Sequence, residues 1–240
     1  MDNHLTDLTK TWDLALRRPG ESFSACLCLV SAPLSALAAL RTEYLGPAER
    51  ERYDRFPADR RRLSFLSGRL AAKAGICRLH PAAVPSRLDI VAGVLGQPVL
   101  QGDGAPGCQV TISHHDSMGG AIAFPEAHPM GLDLELPRPE ADATIESQMT
   151  AREMELLRQL PLPASTARSL GWSVKESLSK VIKSGLMSPF AIYEIEGIEV
   201  TGSEFVSTFV NFGQYKAISV SRGAGVVSIA LPKGTELSFD

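Results

Sequence analysis

The sequence predicts an α+β fold made of two similar halves. Three observations predict it. The order strand, helices, short strands occurs twice along the 240 residues. A turn cluster, Gly102-Asp103-Gly104-Ala105-Pro106-Gly107, separates the two runs. After Gly185 the apolar pattern changes to period two and keeps it. Each half is expected to be a small, mostly antiparallel sheet packed by helices, the first over residues 1–106 and the second over residues 107–240. Hydrophobic residues make up 44% and charged residues 21%, with a net charge of −3, which excludes disordered, collagenous and coiled-coil chains.

The elements follow from local pattern. Residues 22–31 read as a buried strand, short and apolar, stopped by Ala32-Pro33. Helix follows to about Leu45, and Gly46-Pro47 opens another, with proline suited to a first turn. Pro57 interrupts, and Asp59 is placed to cap a longer helix carrying Leu63, Leu66, Leu70 and Ala74 on one face. Two short strands are expected around Gly96-Gln97-Pro98. In the second half, strands are expected at 109–113, 120–124 and 130–135, and helices at about 140–148, 150–159 and 165–184. The last helix aligns Leu170, Val174, Leu178 and Val181. Strands close the chain at 191–196, 205–210, 216–221 and 226–231.

Several function classes fall away. No apolar run has the roughly 18 residues of a membrane-spanning helix. Met1-Asp2-Asn3-His4 lacks the basic start and apolar block of a secretory signal, so a cytoplasmic protein is expected. Cysteines stand at 26, 28, 77 and 108 without zinc-site spacing, and are expected as reduced, mostly buried thiols. Charge is unevenly spread: Arg50 to Lys73 holds eight basic residues against three acidic, and Glu126 to Glu155 eight acidic against two basic. In a globally acidic chain this points to a local anion site rather than to nucleic acid, or else to a solvated helix face.

Three segments carry chemistry. In Gly131-Leu132-Asp133-Leu134-Glu135, the two carboxylates are i and i+2 on a strand and share a face. They either hold a hard divalent cation or end a strand in water. In Trp172-Ser173-Val174-Lys175-Glu176-Ser177-Leu178-Ser179-Lys180, Glu176 and Lys180 are i, i+4 on a helix. They are a surface pair or, on a partly buried helix, charges held in a cleft. Thr111-Ile112-Ser113-His114-His115-Asp116 ends a strand with a hydroxyl and an imidazole suited to phosphate. Ser113 and His114 alternate in direction, which argues against a hydrolase triad, and the same alternation excludes a metal pair from His114 and His115.

With Pro47-Ala48-Glu49-Arg50-Glu51-Arg52, Gly68-Arg69-Leu70-Ala71-Ala72-Lys73 and Gly96-Gln97-Pro98, these segments stand in the order found in one family. The chain resembles a 4′-phosphopantetheinyl transferase of the surfactin-synthetase-activating (Sfp) type, from roughly Ser22 to Gly185. The resemblance implies a pseudo-dimer of two α+β halves with coenzyme A in the cleft between them. It implies that Asp133, Glu135 and Glu176 hold Mg²⁺, that Lys180 meets the pyrophosphate, and that Ser113, His114, Arg52 and Arg69 meet phosphate groups. Glu176 and Lys180 would be catalytic, with Glu176 as base. The implied partner is an apo acyl or peptidyl carrier protein, and a monomer is expected. A coenzyme-A-binding protein without transfer, or a Mg²⁺-dependent nucleotide pyrophosphatase, are the competing readings. Two departures are Gly93-Val94-Leu95, where relatives often carry a basic residue, and the bulky His115, which either stacks on adenine or fills its turn. Which of Arg60, Arg62 and Arg69 faces the ligand is left open by spacing.

Overall fold

The computed structural model describes residues 4–116, 118–185, 188–222 and 225–239. The Met1-Asp2-Asn3 start weighed above lies outside them. The chain forms two compact units, Met1–Pro129 with Thr235–Asp240, and Met130–Gly234.

In the first unit, α1 (His4–Leu8) leads into β1 (Thr9–Arg18) and β2 (Glu21–Ser31). Their hairpin turns on Pro19-Gly20, where Gly20 takes φ +80, a conformation that suits glycine after proline in a tight turn. Helices α2 (Leu34–Ala39), α3 (Arg41–Tyr44), α4 (Pro47–Asp54) and α5 (Asp59–Leu79) follow. Pro47 opens α4 as expected. Asp59 is the first helical residue of α5 rather than its cap, which is Ala58. The short hairpin β3 (Asp89–Ala92) and β4 (Pro98–Gln101) precedes β5 (Cys108–His115) and β6 (Met118–Pro125). Strands β5, β6, β2 and β1, with the later β12 (Glu236–Phe239), make a five-stranded antiparallel sheet in the order β12-β1-β2-β6-β5. The helix α5 lies on it, burying Leu66, Leu70, Ala71 and Ile76 against Cys26, Cys28, Val110 and Ala123.

In the second unit, β7 (Gly131–Glu135) is followed by α6 (Asp142–Ser147), α7 (Ala151–Arg158) and α8 (Ala164–Ile182). Then come β8 (Ile195–Thr201), β9 (Glu204–Phe209), β10 (Tyr215–Arg222) and β11 (Gly225–Pro232). The antiparallel order is β7-β11-β10-β9-β8, and α8 packs Leu170, Val174 and Leu178 over Ala217, Val226 and Ala230. The strand expected at 191–196 begins only at Ile195, because Phe190–Tyr193 forms a 3₁₀ turn that packs Phe190 and Tyr193 into this core.

Within each unit a strand leads through helices to a hairpin whose second strand pairs back with the first: β2 with β6, and β7 with β11. The units divide at Pro129/Met130, later than the expected 106/107 division, because β5 and β6 complete the sheet of β2. The last strand also returns to the first unit, where it pairs with β1.

The same buried ion pair recurs in both units. Glu49, third residue of α4, accepts the Gly46 amide at 3.0 Å and the Ile90 amide at 3.1 Å, and Lys73 of α5 stands 2.9 Å away. Glu153, third residue of α7, accepts the Thr150 amide at 2.7 Å and the Ile195 amide at 2.9 Å, with Lys175 of α8 at 2.9 Å. Both lysines and both glutamates are buried. A carboxylate at the third helical position normally closes its own helix start. Here it also fastens the next strand and the long helix.

Candidate functional site

In the second unit the site is set by how closely α8 approaches β7. A Cβ on Gly131 would fall 2.0 Å from the Ser177 carbonyl oxygen and 3.0 Å from the Val181 amide nitrogen. Only glycine permits that approach. Strand alternation puts Asp133 and Glu135 on the same side as Gly131, towards α8, and Leu132 and Leu134 on the other. From α8, Lys180 reaches back: its Nζ donates to the Leu132 carbonyl at 2.8 Å and pairs with Asp133 Oδ1 at 2.8 Å. Glu135 has Arg138 at 3.7 Å.

The electrostatics tie the carboxylates together. Burial first, then the Asp133 charge, push the Glu135 carboxyl up to about 7; Glu176 adds to this, and Arg138 and Lys180 oppose it. Burial, followed by Asp133, pushes Glu176 up to about 7, against the pull of Lys180. Three acidic groups therefore crowd one another in a mostly buried place, with all-oxygen donors. That donor set fits a hard divalent cation. Among the described residues, though, no group of three or more His, Cys, Asp or Glu side chains stands arranged as a metal shell. Lys180 is a protein cation that meets Asp133.

In the first unit, Arg52 of α4 and Arg69 of α5 lie against one ring, Phe65, with guanidinium carbons 5.7 and 4.8 Å from its centroid. Arg69 Nε is 3.1 Å from Glu49, whereas Arg52 has no carboxylate partner among the described residues. Desolvation first, with Arg52 adding to it, pushes the Arg69 guanidinium down to about 10, against the pull of Glu49. One buried carboxylate thus serves Arg69 and Lys73 while Arg52 stands beside them, and the excess positive charge suits an anion. Arg60 goes instead to Asp116 at 3.7 Å, and Arg62 to the Phe56 carbonyl at 2.9 Å.

Ser113 and His114 divide between the faces of β5. His114 is exposed and pairs with Gly119, whose side is the one α5 covers, since a Cβ there would meet the Ser67 backbone at 2.4 Å. Ser113 is buried on the opposite side with His115, whose Nε2 is 3.3 Å from Asp116. Asp116 takes φ +47, so His115 packs against a left-handed turn residue. The cavity of this unit that is lined by Thr9, Thr11, Asp13, Tyr44, Cys77 and Arg78 contains none of the predicted residues.

Sequence reasoning placed Lys73 among the cations of an anion site. The structure buries it completely, giving it to Glu49 and to the Pro85 and Leu88 carbonyls. Glu49, Glu153 and Lys175 were not singled out. The signal was present at Thr150-Ala151-Arg152-Glu153, a Thr-x-x-Glu capping pattern.

Residues 129–227 match the family model of the 4′-phosphopantetheinyl transferase superfamily. The matched stretch contains Asp133, Glu135, Glu176 and Lys180. No curated protein matches the chain.

Proposed function

We propose that this protein transfers the 4′-phosphopantetheine group of coenzyme A to a serine of an apo acyl or peptidyl carrier protein, with release of adenosine 3′,5′-bisphosphate. The observation that carries the reading is the family match over residues 129–227 together with the grouping of four charged residues within it: Lys180 on Asp133, and Glu135 and Glu176 within the field of that same aspartate. The recurrence of strand, helices and returning hairpin in both units supports the further expectation of a pseudo-dimer of the Sfp type.

On this reading Asp133, Glu135 and Glu176 would hold Mg²⁺. The ion, when bound, would neutralise pyrophosphate charge and ease departure of the adenosine bisphosphate. Glu176 would take the proton of the attacking serine hydroxyl, directly or through water. Lys180 would stabilise charge on the leaving phosphate, and Arg52, Arg69, Ser113 and His114 would meet the phosphates of coenzyme A.

Incubation with coenzyme A, Mg²⁺ and an apo carrier protein tests this, with the carrier weighed by mass spectrometry. The expected result is a carrier heavier by one phosphopantetheine, abolished by Glu176→Ala or Asp133→Ala down to about a hundredth or less of the wild-type rate. Adenosine bisphosphate without a heavier carrier would instead identify a pyrophosphatase. Coenzyme A bound with neither product would identify a binding protein.

A further inference from the structure

If Asp133 belongs to a metal site, as proposed above, the position of Lys180 has a consequence. Lys180 Nζ makes two short contacts, to the Leu132 carbonyl and to Asp133 Oδ1, both at 2.8 Å. The Asp133 side chain is only 7% exposed and has two further carboxylates, Glu135 and Glu176, in its field. A buried carboxylate among like charges needs a positive partner. Here that partner comes from the protein itself. Lys180 also sits at the end of a long aliphatic tether, with a quarter of its side chain (24%) exposed, so it has a route to solvent. A divalent cation bound to the same carboxylate would stand beside an ammonium of like charge, in surroundings too poorly hydrated to screen the two.

We propose that Lys180 is a tethered stand-in for the divalent cation at Asp133. It neutralises the aspartate in the absence of the ion and is expelled from it when the ion binds, so that its ammonium becomes available to an anionic ligand only once the metal is in place. This gives the two cations an order. The lysine cannot serve a phosphate while it serves Asp133, and metal binding releases it.

Metal binding without coenzyme A or carrier protein tests the proposal. Mn²⁺ alone is titrated by electron paramagnetic resonance into the wild type and into Lys180→Met, Arg138→Met and Asp133→Asn. Lys180→Met should bind Mn²⁺ at least about tenfold more tightly than the wild type, because no stand-in has to leave. Arg138→Met removes a nearby cation that pairs with Glu135 rather than Asp133, and should change the affinity by less than about threefold. In the ¹⁵N-labelled wild type, the Lys180 ammonium signal, protected by its two hydrogen bonds, should give way to a fast-exchanging one as Mg²⁺ is added. This measurement decides the matter even if Lys180→Met fails to fold. A protected signal that persists at saturating Mg²⁺, or a Lys180→Met affinity no tighter than that of the wild type, overturns the proposal. If Asp133→Asn weakens Mn²⁺ binding while Lys180→Met does not tighten it, the stand-in falls and the metal site survives. If Asp133→Asn has no effect, both fall.

Discussion

A methyl group at position 131 has nowhere to go. The Ser177 carbonyl oxygen lies 2.0 Å from where it would sit, with the Val181 side chain at 2.9 Å and the Val181 amide nitrogen at 3.0 Å, and since the two backbone atoms cannot step aside, relief requires moving the helix. Gly131→Ala should therefore cost more than about 3 kcal/mol in urea unfolding, through overpacking and lost helix–strand contact. Gly213→Ala, with nothing within 4 Å of the added carbon, should stay within about 0.5 kcal/mol. Equal losses at the two positions would show that the close approach of α8 to β7 does not govern this unit. At the same scale, Asp133, Glu135, Glu176 and Lys180 were legible as candidates because strand and helix periods alone put i, i+2 and i, i+4 on shared faces. What periodicity did not carry was the partner of each. That Lys180 meets Asp133 rather than Glu176 depends on the distance between α8 and β7, which Gly131 sets and no local pattern encodes.

Two short helices, α4 and α7, do more than their length suggests. Each offers a buried glutamate that binds its own helix start, the amide of a following strand and a lysine of the long helix. Removing one member of a buried pair leaves an unpaired charge in the core. Glu153→Ala should therefore destabilise by about 3–5 kcal/mol, and Glu49→Ala by a similar amount. Replacing both members, as Glu153→Leu with Lys175→Met, should recover much of the loss, since a well-packed apolar pair no longer pays for desolvation. Chemical denaturation of the four proteins checks this; a double variant as unstable as Glu153→Ala would mean that the amide bonds of Glu153, not the ion pair, hold the element. Most elements were readable from period and breakers, including α5, α8 and the β3–β4 hairpin. Strand β1 was not assigned, although Leu14 and Leu16 alternate and Pro19-Gly20 marks its turn, because charged and polar residues dilute its apolar signal. Strand β12 has only four residues, of which Glu236 and Phe239 are exposed, and it exists through its pairing with β1. Such a strand is a product of tertiary pairing and carries little local signature.

At the scale of the whole chain, the compact units divide elsewhere than at the turn cluster for a related reason. The glycine-rich turn at 102–107 is a strong local stop, yet the strands after it, β5 and β6, complete the sheet begun by β2. Sheet partnership over long sequence distance outweighs a turn signal, and the units meet the chain at Pro129/Met130 and Gly234/Thr235 instead. The global stability of the protein should in turn register the candidate site. Glu135 and Glu176 have folded-state values of about 7 against an ordinary 4.5, so the folded state binds protons that the unfolded chain releases. Their contribution to stability is fully present below about pH 4.5 and is lost as pH rises towards 7. Both groups are partly exposed, so the loss should be on the order of a few kcal/mol at most. Without divalent cations, the melting temperature should fall between about pH 5.5 and pH 7.5, and Glu135→Gln with Glu176→Gln should flatten that fall. Excess Mg²⁺ should raise the melting temperature at about pH 7.5 far more than at pH 5.5, since protons hold the same oxygens at the lower pH. A doubly substituted protein with the wild-type pH profile would mean that the two carboxyls titrate normally and that the acidic cluster is no more than a surface feature.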